Sequence, residues 1–539
     1  MKSRLVASVV FGVLALPVLA AVWGVCWFVT QDGAAHLYNS HIWGELLKGN
    51  PAVVGHYALR PYLVPNMAGQ LMLAGLLSFL TPRAADRLMM TATFVGFAGS
   101  LVWLRWKVCG REGMRWAVPL AAVVSLSWLW LLGFYNFLLG ACLFPVTLGL
   151  WWGWRERLSA WRVLCIAALL VVCYFSHLVA AGLTAGGLLV LALATVEAGR
   201  LRRVVATGAS LLPLGALGLA YRGVMQGTGV PIRPHWQGLA DPWSPREWLV
   251  RLLQEDDVLQ LHHRGYFPFV AEPSAIFSYL RPSSFVVTGL ALLLAATLYA
   301  YKRERSGGTN SRRAWGVLAL VFCAAGLFGP DHFGVAHGLG LRERFMLLGL
   351  ACFVPFLRFE SSSLAARVGV LTLFAASLLQ AASVWDYALA SDREVGNFMR
   401  AEAHVGRGRR VATVMALRPS RFRVVPLYNL DTLLGVGTGN VIWNNYQAGS
   451  YLFPVTYRAD EEARLGERVA ATNRLNLATS PEDFGAQLDG WAQVLARYER
   501  EMDVLIVWGR AEQLDEINRK WFGPDPAFED GDVRVFMHR

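Results

Sequence analysis

Long apolar runs punctuate the chain up to about residue 386. The first covers Leu5 to Thr30, and others follow at about 62–80, 88–104, 117–133, 137–153, 162–175, 178–196, 204–221, 284–301, 314–328, 343–357 and 367–386. A helix needs about 20 apolar residues to cross a hydrocarbon core of roughly 30 Å, so the longer runs read as spans and several others fall short of one. The pattern predicts an α-helical polytopic membrane protein with about 11–13 transmembrane helices. Lys2 and Arg4 before the first run resemble the start of a signal peptide. The run is too long for one and lacks a clean cleavage site, so it reads as a retained first helix with its N-terminus cytoplasmic.

Directly after that run comes QDGAAHLYNSHIWGELLKGN, Gln31 to Asn50. Asp32 sits where the first helix leaves the hydrocarbon. From Ala34 to Leu47 the residues suit a short helix along the membrane surface, with His36, Asn39, Ser40 and Trp43 three and four apart. An acid at this depth is costly to ionise and marks a functional position. The alternative is a plain helix N-cap, and one residue can serve as both.

Basic clusters at Arg105–Arg115, Arg155–Arg162, Arg200–Arg203 and Lys302–Arg313 read as cytoplasmic loops under the positive-inside rule. That orientation turns Gly133–Asn136, Ser176–His177, Tyr221–Ser283 and Gly329–Leu341 outward. It also requires an odd number of crossings between Asp32 outside and Arg105 inside, where two apolar runs lie. The run at 62–80, interrupted by Pro65 and Asn66, is therefore expected not to cross fully. Tyr221–Ser283, rich in Pro, Trp, Arg and His, is long for a connection and is expected to be a lid or binding element.

From about Tyr387 charged residues become frequent. Short β-like runs at Arg410–Leu417, Arg423–Leu427, Asp503–Trp508 and Val533–Met537 are interspersed with helix-like stretches at Asp460–Ala470 and Pro481–Glu501. Two domains are expected: a transmembrane domain over residues 1–386, with outer segments 31–61 and 222–283, and a small extracytoplasmic α/β domain over residues 387–539.

The totals sharpen the picture. Of 539 residues 55% are hydrophobic and 21 are Trp, a composition that excludes an ordinary soluble domain when it is gathered into such runs. The net charge of +12 would suit nucleic acid. Many of the arginines cluster between apolar runs, however, so the partner inferred is a lipid bilayer and not nucleic acid. Six of the seven cysteines (Cys26, Cys142, Cys165, Cys173, Cys323 and Cys352) fall in apolar runs and Cys109 lies in a basic loop. That distribution argues against a disulfide framework or a Cys-based metal site.

The outward segments collect polar groups that apolar surroundings do not explain. They are Asp32 and His36, Arg60 before Pro61, Tyr135 and Asn136, His177, then His262, His263 and Arg264, and finally Asp331, His332, His337, Arg342, Glu343 and Arg344. A single membrane histidine is usually a packed, hydrogen-bonded residue. Many polar groups at one depth must face protein or a wet cavity, and an outward cavity with one carboxylate and several cations is expected. A carboxylate can take a proton from a hydroxyl, and arginines can hold a phosphate through paired hydrogen bonds. Moving a sugar off a lipid phosphate uses both. The phosphate departs readily, so the acid–base pair of water-driven glycoside cleavage reduces to one base and a cation clamp.

At this point the chain resembles the GT-C glycosyltransferases, integral membrane enzymes that use polyprenyl-phosphate-linked sugars and include the protein O-mannosyltransferases and aminoarabinose transferases. The matching segments are QDGAAHLYNSHIW for the acid motif, RPYL for the Pro-rich helix start, ADRLMM for an Arg-Leu entry to the next span and LRERFMLLGLACFVPFL for the Arg-Phe segment. The resemblance implies an inverting hexosyl- or pentosyltransferase of the bacterial inner membrane with a polyprenyl-phosphate-linked sugar as donor and a lipid, glycan or protein acceptor. It also implies Asp32 as general base, Arg344 near the donor phosphate, and Arg60 and His36 lining the same pocket. Tyr135, Asn136, His177, His262, His263 and Arg342 complete the expected substrate-binding set.

The chain departs from the family pattern in lacking a second acid: Gly33 follows Asp32, and the short outer loop offers Tyr135 and Asn136. No cofactor is therefore assigned, although His262 and His263 could join Asp32 or Asp331 around a divalent metal. A transporter or lipid-linked-sugar flippase is the alternative, but it predicts paired halves and broken helices, and no repeat is visible. A third reading is a non-catalytic assembly subunit. In the C-terminal region, Asn444, Asn445, Tyr446 and Gln447 with Trp443 suit either sugar contacts or ordinary turns and interfaces.

Overall fold

The computed structural model describes residues 2–111, 113–195, 199–227, 233–237, 239, 244–248, 257–303, 310–334, 338–359, 362–458 and 461–538. His337 and much of the long loop lie outside these residues. About two thirds of the chain, 67%, is helical. Among the described residues six helices are long and apolar enough to cross a membrane: Leu5–Gly24, Pro82–Cys109, Tyr135–Trp154, Arg200–Gln226, Pro282–Lys302 and Leu364–Val405. Shorter apolar helices cover Ala68–Leu77, Met114–Ser125, Ala160–Ser176 and Leu178–Ala194, and Asn310–Phe328 is followed by Leu341–Phe356.

Every apolar run thus holds a helix, with instructive differences at the edges. The first helix stops at Gly24. The 62–80 run forms only Ala68–Leu77, 10 residues, which at 1.5 Å each gives about 15 Å, half a bilayer core. Arg105, expected in a loop, lies on the penultimate turn of Pro82–Cys109. It is fully buried, and its guanidinium donates to the carbonyls of Val354 (3.1 Å) and Leu357 (2.5 Å) at the end of Leu341–Phe356. A cation closing a helix C-terminus in this way satisfies carbonyls that the helix leaves free.

The chain divides into two compact units, one comprising Met1–Ala20 and Met90–Asp386, the other Ala21–Met89 and Tyr387–Arg539. In the first unit Asn310–Phe328 and Leu341–Phe356 pack closely because glycines line the contact. A Cβ added at Gly326 would come 2.8 Å from the Met346 nitrogen, and one at Gly349 would come 2.8 Å from Cys323 Sγ. Small residues let apolar helices approach at backbone distance, which is the main source of association where lipid competes for every apolar side chain.

The second unit is built on a sheet. Its strands are β1 (Tyr57–Leu59), β2 (Arg410–Leu417), β3 (Val441–Ile442), β4 (Val455–Tyr457), β5 (Arg474–Asn476), β6 (Val504–Trp508), β7 (Phe528–Asp530) and β8 (Val533–Met537). The main sheet runs β3-β2-β6-β8-β7, with β5 also pairing β2. β2 is parallel to β3, β5 and β6, while β8 is antiparallel to β6 and β7. Parallel strands covered on both faces read as continuous apolar runs, as Val504–Trp508 does. Pro481–Tyr498 begins with Pro at its first position and with Ser480 Oγ accepting from the Asp483 amide, a pre-shaped and satisfied helix start. It places Leu488, Trp491, Val494 and Leu495 in the core, where each aliphatic side chain contributes about 1.5–3 kcal/mol.

Of the β-like runs, Arg423–Leu427 is not a strand. Pro426 has no N–H to give a ladder, and the Val425 amide donates instead to Gln31 Oε1 at 3.1 Å. β1 and β4 pair antiparallel with Tyr57 opposite Tyr457, so the segment after the first helix is stitched to the C-terminal region. The helix Gly33–Leu47 lies against the turn Leu430–Gly435. Gly435 is required there because a Cβ would fall 2.2 Å from the Tyr38 ring.

Candidate active site

Asp32 stands at the N-cap of Gly33–Leu47, yet its side chain makes no capping bond. The carboxylate is buried and is engaged elsewhere. Asn429 Nδ2 donates to its Oδ1 at 2.9 Å, and the Tyr446 hydroxyl also bonds it. Arg474 Nη2 donates to Asn429 Oδ1 at 2.7 Å, which fixes the amide so that its N–H side faces Asp32. The Arg474 guanidinium lies over the Tyr428 ring at 3.5 Å. Burial pushes the Asp32 carboxyl up to about 6, held back by the Tyr446 hydroxyl, the Arg474 charge and Asn429.

The same helix face continues the polar seam. His36, one turn on, accepts at Nδ1 from Gln447 Nε2 at 3.2 Å, and Gln70 Nε2 donates to Gln447 Oε1 at 3.0 Å. Burial drives the His36 pKa down to about 4, so its imidazole is neutral with the proton on Nε2. Asn39 and Asn445 exchange amide hydrogen bonds at 2.8 and 3.1 Å. Arg60 donates through Nε to the Phe453 carbonyl, through Nη2 to that of Ser450 and through Nη1 to the Tyr62 hydroxyl, so its guanidinium holds the 450–453 turn. Asp431, which sequence reasoning did not single out, is also fully buried in this unit, with Asn444 and Thr413 flanking a carboxyl whose pKa is raised by burial.

Tyr135, Asn136, His177, His262, His263, Arg342 and Arg344 belong to the first unit. Three of its expected outer segments meet at Arg344. The guanidinium lies 5.2 Å from the Phe134 ring centre and 5.1 Å from that of Phe137, on either side of Tyr135 and Asn136, and its Nη1 is 3.2 Å from His177 Nε2. Tyr135 and Asn136 are themselves buried. Arg344 is 5% exposed and has no carboxylate within ion-pair distance among the described residues, and its Nε has no hydrogen-bond partner. Arg342, two residues earlier, is different: its Nη1 pairs with Asp331 Oδ1 at 3.3 Å and its Nε donates to the Gly326 carbonyl.

His262 and His263 point apart. His262 is buried with Nε2 at 2.8 Å from Asp386 Oδ2, whereas His263 is exposed. Gln380 Nε2 donates to the Leu259 carbonyl at 2.7 Å, so this stretch of the long loop is fastened to Leu364–Phe398. Among the described residues no three His, Cys, Asp or Glu side chains gather as metal ligands do. Trp443 is fully buried and donates from Nε1 to the Glu501 carbonyl, which makes it a core residue and not a sugar platform. Asn429 and Arg474 carried no signal in the sequence, because neither lies in a motif and both are several hundred positions from Asp32.

No family model and no curated protein matches the chain in sequence. In structure it is similar to the crystal structure of ArnT from Cupriavidus metallidurans bound to undecaprenyl phosphate, with a TM-score of 0.51 and 10% identity over 98% of this chain and 97% of that one. The apo-state structure of that protein aligns with a TM-score of 0.41 and 12% identity over the same shares. The chain therefore has, over almost its whole length, the fold of that undecaprenyl-phosphate-bound ArnT structure.

Proposed function

We propose that the chain is a glycosyltransferase of the bacterial inner membrane that moves a hexosyl or pentosyl group from a polyprenyl-phosphate carrier to an acceptor hydroxyl, with inversion. The observation that carries this reading is the Asp32 carboxylate, buried, bonded by Asn429 and Tyr446 and titrating near 6. A base is most effective when its pKa lies near the working pH, and this one is largely ionised at neutrality while keeping appreciable proton affinity. ArnT, crystallised with undecaprenyl phosphate, supplies the analogy for the carrier.

In the reaction proposed, Asp32 takes the acceptor O–H proton as that oxygen bonds to the anomeric carbon. The bond from that carbon to the carrier's phosphate oxygen breaks on the opposite face, which inverts the centre. The released phosphate monoester needs no proton at neutral pH, so no general acid is required. In the first unit, Arg344, buried and with no carboxylate within ion-pair distance among the described residues, is assigned to the binding of a carrier phosphate, whose oxygens a guanidinium in a low-dielectric setting holds through paired hydrogen bonds. The test is transfer of a radiolabelled sugar from a polyprenyl-phosphate donor by purified protein in detergent or nanodiscs. Turnover that is lost in Asp32→Asn supports the assignment, and near-normal turnover by that variant would overturn it.

A further inference from the structure

The contact between His177 and Arg344 does not satisfy itself. His177 is the N-cap of Leu178–Ala194, and its Nδ1 accepts the Val179 backbone N–H at 3.1 Å. That bond uses the Nδ1 lone pair, so in the neutral imidazole the proton sits on Nε2. Nε2–H then points at Arg344 Nη1, 3.2 Å away, and a guanidinium nitrogen is always a donor. Two N–H groups face each other. Moving the proton to Nδ1 only shifts the mismatch to the Val179 amide. In the same place Arg344 Nε is buried without a hydrogen-bond partner, and among the described residues its charge is met by no ion pair, only by the more distant Glu343 carboxylate. A buried cation and converging donors are costly when unmet, and one oxygen anion accepting from both resolves the arrangement.

We propose that His177 is a second donor of this anion site: its Nε2–H and the Arg344 guanidinium together hold the phosphate monoester of the polyprenyl carrier. This rests on the donor assignment made above and adds to it a named residue with a fixed tautomer. The Val179 amide acts through the ring, since its bond to Nδ1 keeps the proton on the side that faces the anion. Phe134 and Phe137, over which the guanidinium lies, keep water from replacing the phosphate oxygen without supplying a competing acceptor.

Two substitutions separate anion binding from helix capping. In His177→Asn the side-chain oxygen falls where Nδ1 was and caps Val179, but the distal donor is gone. In His177→Gln the amide nitrogen falls where Nε2 was and can donate, but the cap is lost. The measurement is equilibrium binding of a polyprenyl phosphate and of the matching polyprenol to the full-length protein in detergent, with thermal unfolding alongside. We expect the Asn variant to bind the phosphate about tenfold more weakly, the loss of one hydrogen bond to a charged group, with polyprenol binding and unfolding temperature unchanged. The Gln variant should stay within about threefold of wild type for the phosphate even if it unfolds earlier. Wild-type phosphate binding in Asn combined with loss in Gln would make His177 a cap and overturn the inference. If the unmodified protein does not prefer the phosphate to the alcohol, the carrier assignment fails and this inference with it. Displacement of the lipid by inorganic phosphate at the concentration where that ion binds alone would assign the site to the free ion and overturn the lipid identity; no such displacement is expected.

Discussion

At the scale of single residues, the Asp32 environment sets two separable expectations. An unfolded aspartate titrates near 3.8 and the folded Asp32 near 6, so the folded state holds this proton more tightly. Below about pH 4 both forms are protonated and no stability is lost. Between about 4 and 6 the ionised form is increasingly penalised, and above 6 the cost levels at about 3 kcal/mol. Asp32→Asn should therefore abolish transfer while raising the unfolding temperature at pH 8 and leaving it nearly unchanged at pH 4. Scanning calorimetry at the two pH values checks this, and a variant destabilised at pH 8 would contradict it. On the function proposed, kcat/KM of the wild-type protein should fall as pH drops through about 6, because Asp32 must be ionised to act as the base. Arg344→Gln should weaken polyprenyl-phosphate binding about 10- to 100-fold, the range for losing charge-assisted hydrogen bonds. The sequence singled out both the carboxylate and the guanidinium as candidates, because a charged residue next to an apolar run is costly to place. Asn429 and Tyr446 were not legible as partners of the acid, because polar residues in a mixed segment look alike until folded.

At the scale of elements, apolar length foretold helices throughout, and β-branched runs foretold β2, β6 and β8. The failure at Arg423–Leu427 had a visible cause in Pro426, whose missing N–H outweighs the β propensity of Val424 and Val425. The glycines of Asn310–Phe328 and Leu341–Phe356 show what a periodicity argument leaves out: it identifies an apolar face but not how closely two faces meet. Gly326 sits where a Cβ would strike the Met346 nitrogen and the Arg342 carbonyl, one turn from Arg344. Gly326→Val should push the helix pair apart, lower stability by about 1–3 kcal/mol and weaken donor binding with little change in the acid limb of the pH profile. Unfolding and lipid binding measured on the same preparation test it.

At the scale of the whole molecule, the second unit is discontinuous, joining Ala21–Met89 to Tyr387–Arg539. The sequence placed a composition break near Tyr387, but nothing local announces that Tyr57 will lie opposite Tyr457. Pairing over that separation is set by register and packing that only the folded chain reveals. On the function proposed, the C-terminal region tunes the Asp32 carboxyl. Arg474→Met removes the charge that favours ionised Asp32 and frees the Asn429 amide, so the acid limb of kcat/KM should move up by about one pH unit. Generalised damage would lower the rate at every pH without moving the limb.

That stitching also orders events during biosynthesis. A ribosome completes Asp32 early, and hundreds of residues must follow before Asn429, Tyr446 and Arg474 emerge to surround it. Closing so long a loop is slow, and no nascent or prematurely terminated polypeptide can assemble the proton acceptor. On the function proposed, competence arrives only with the final portion of translation.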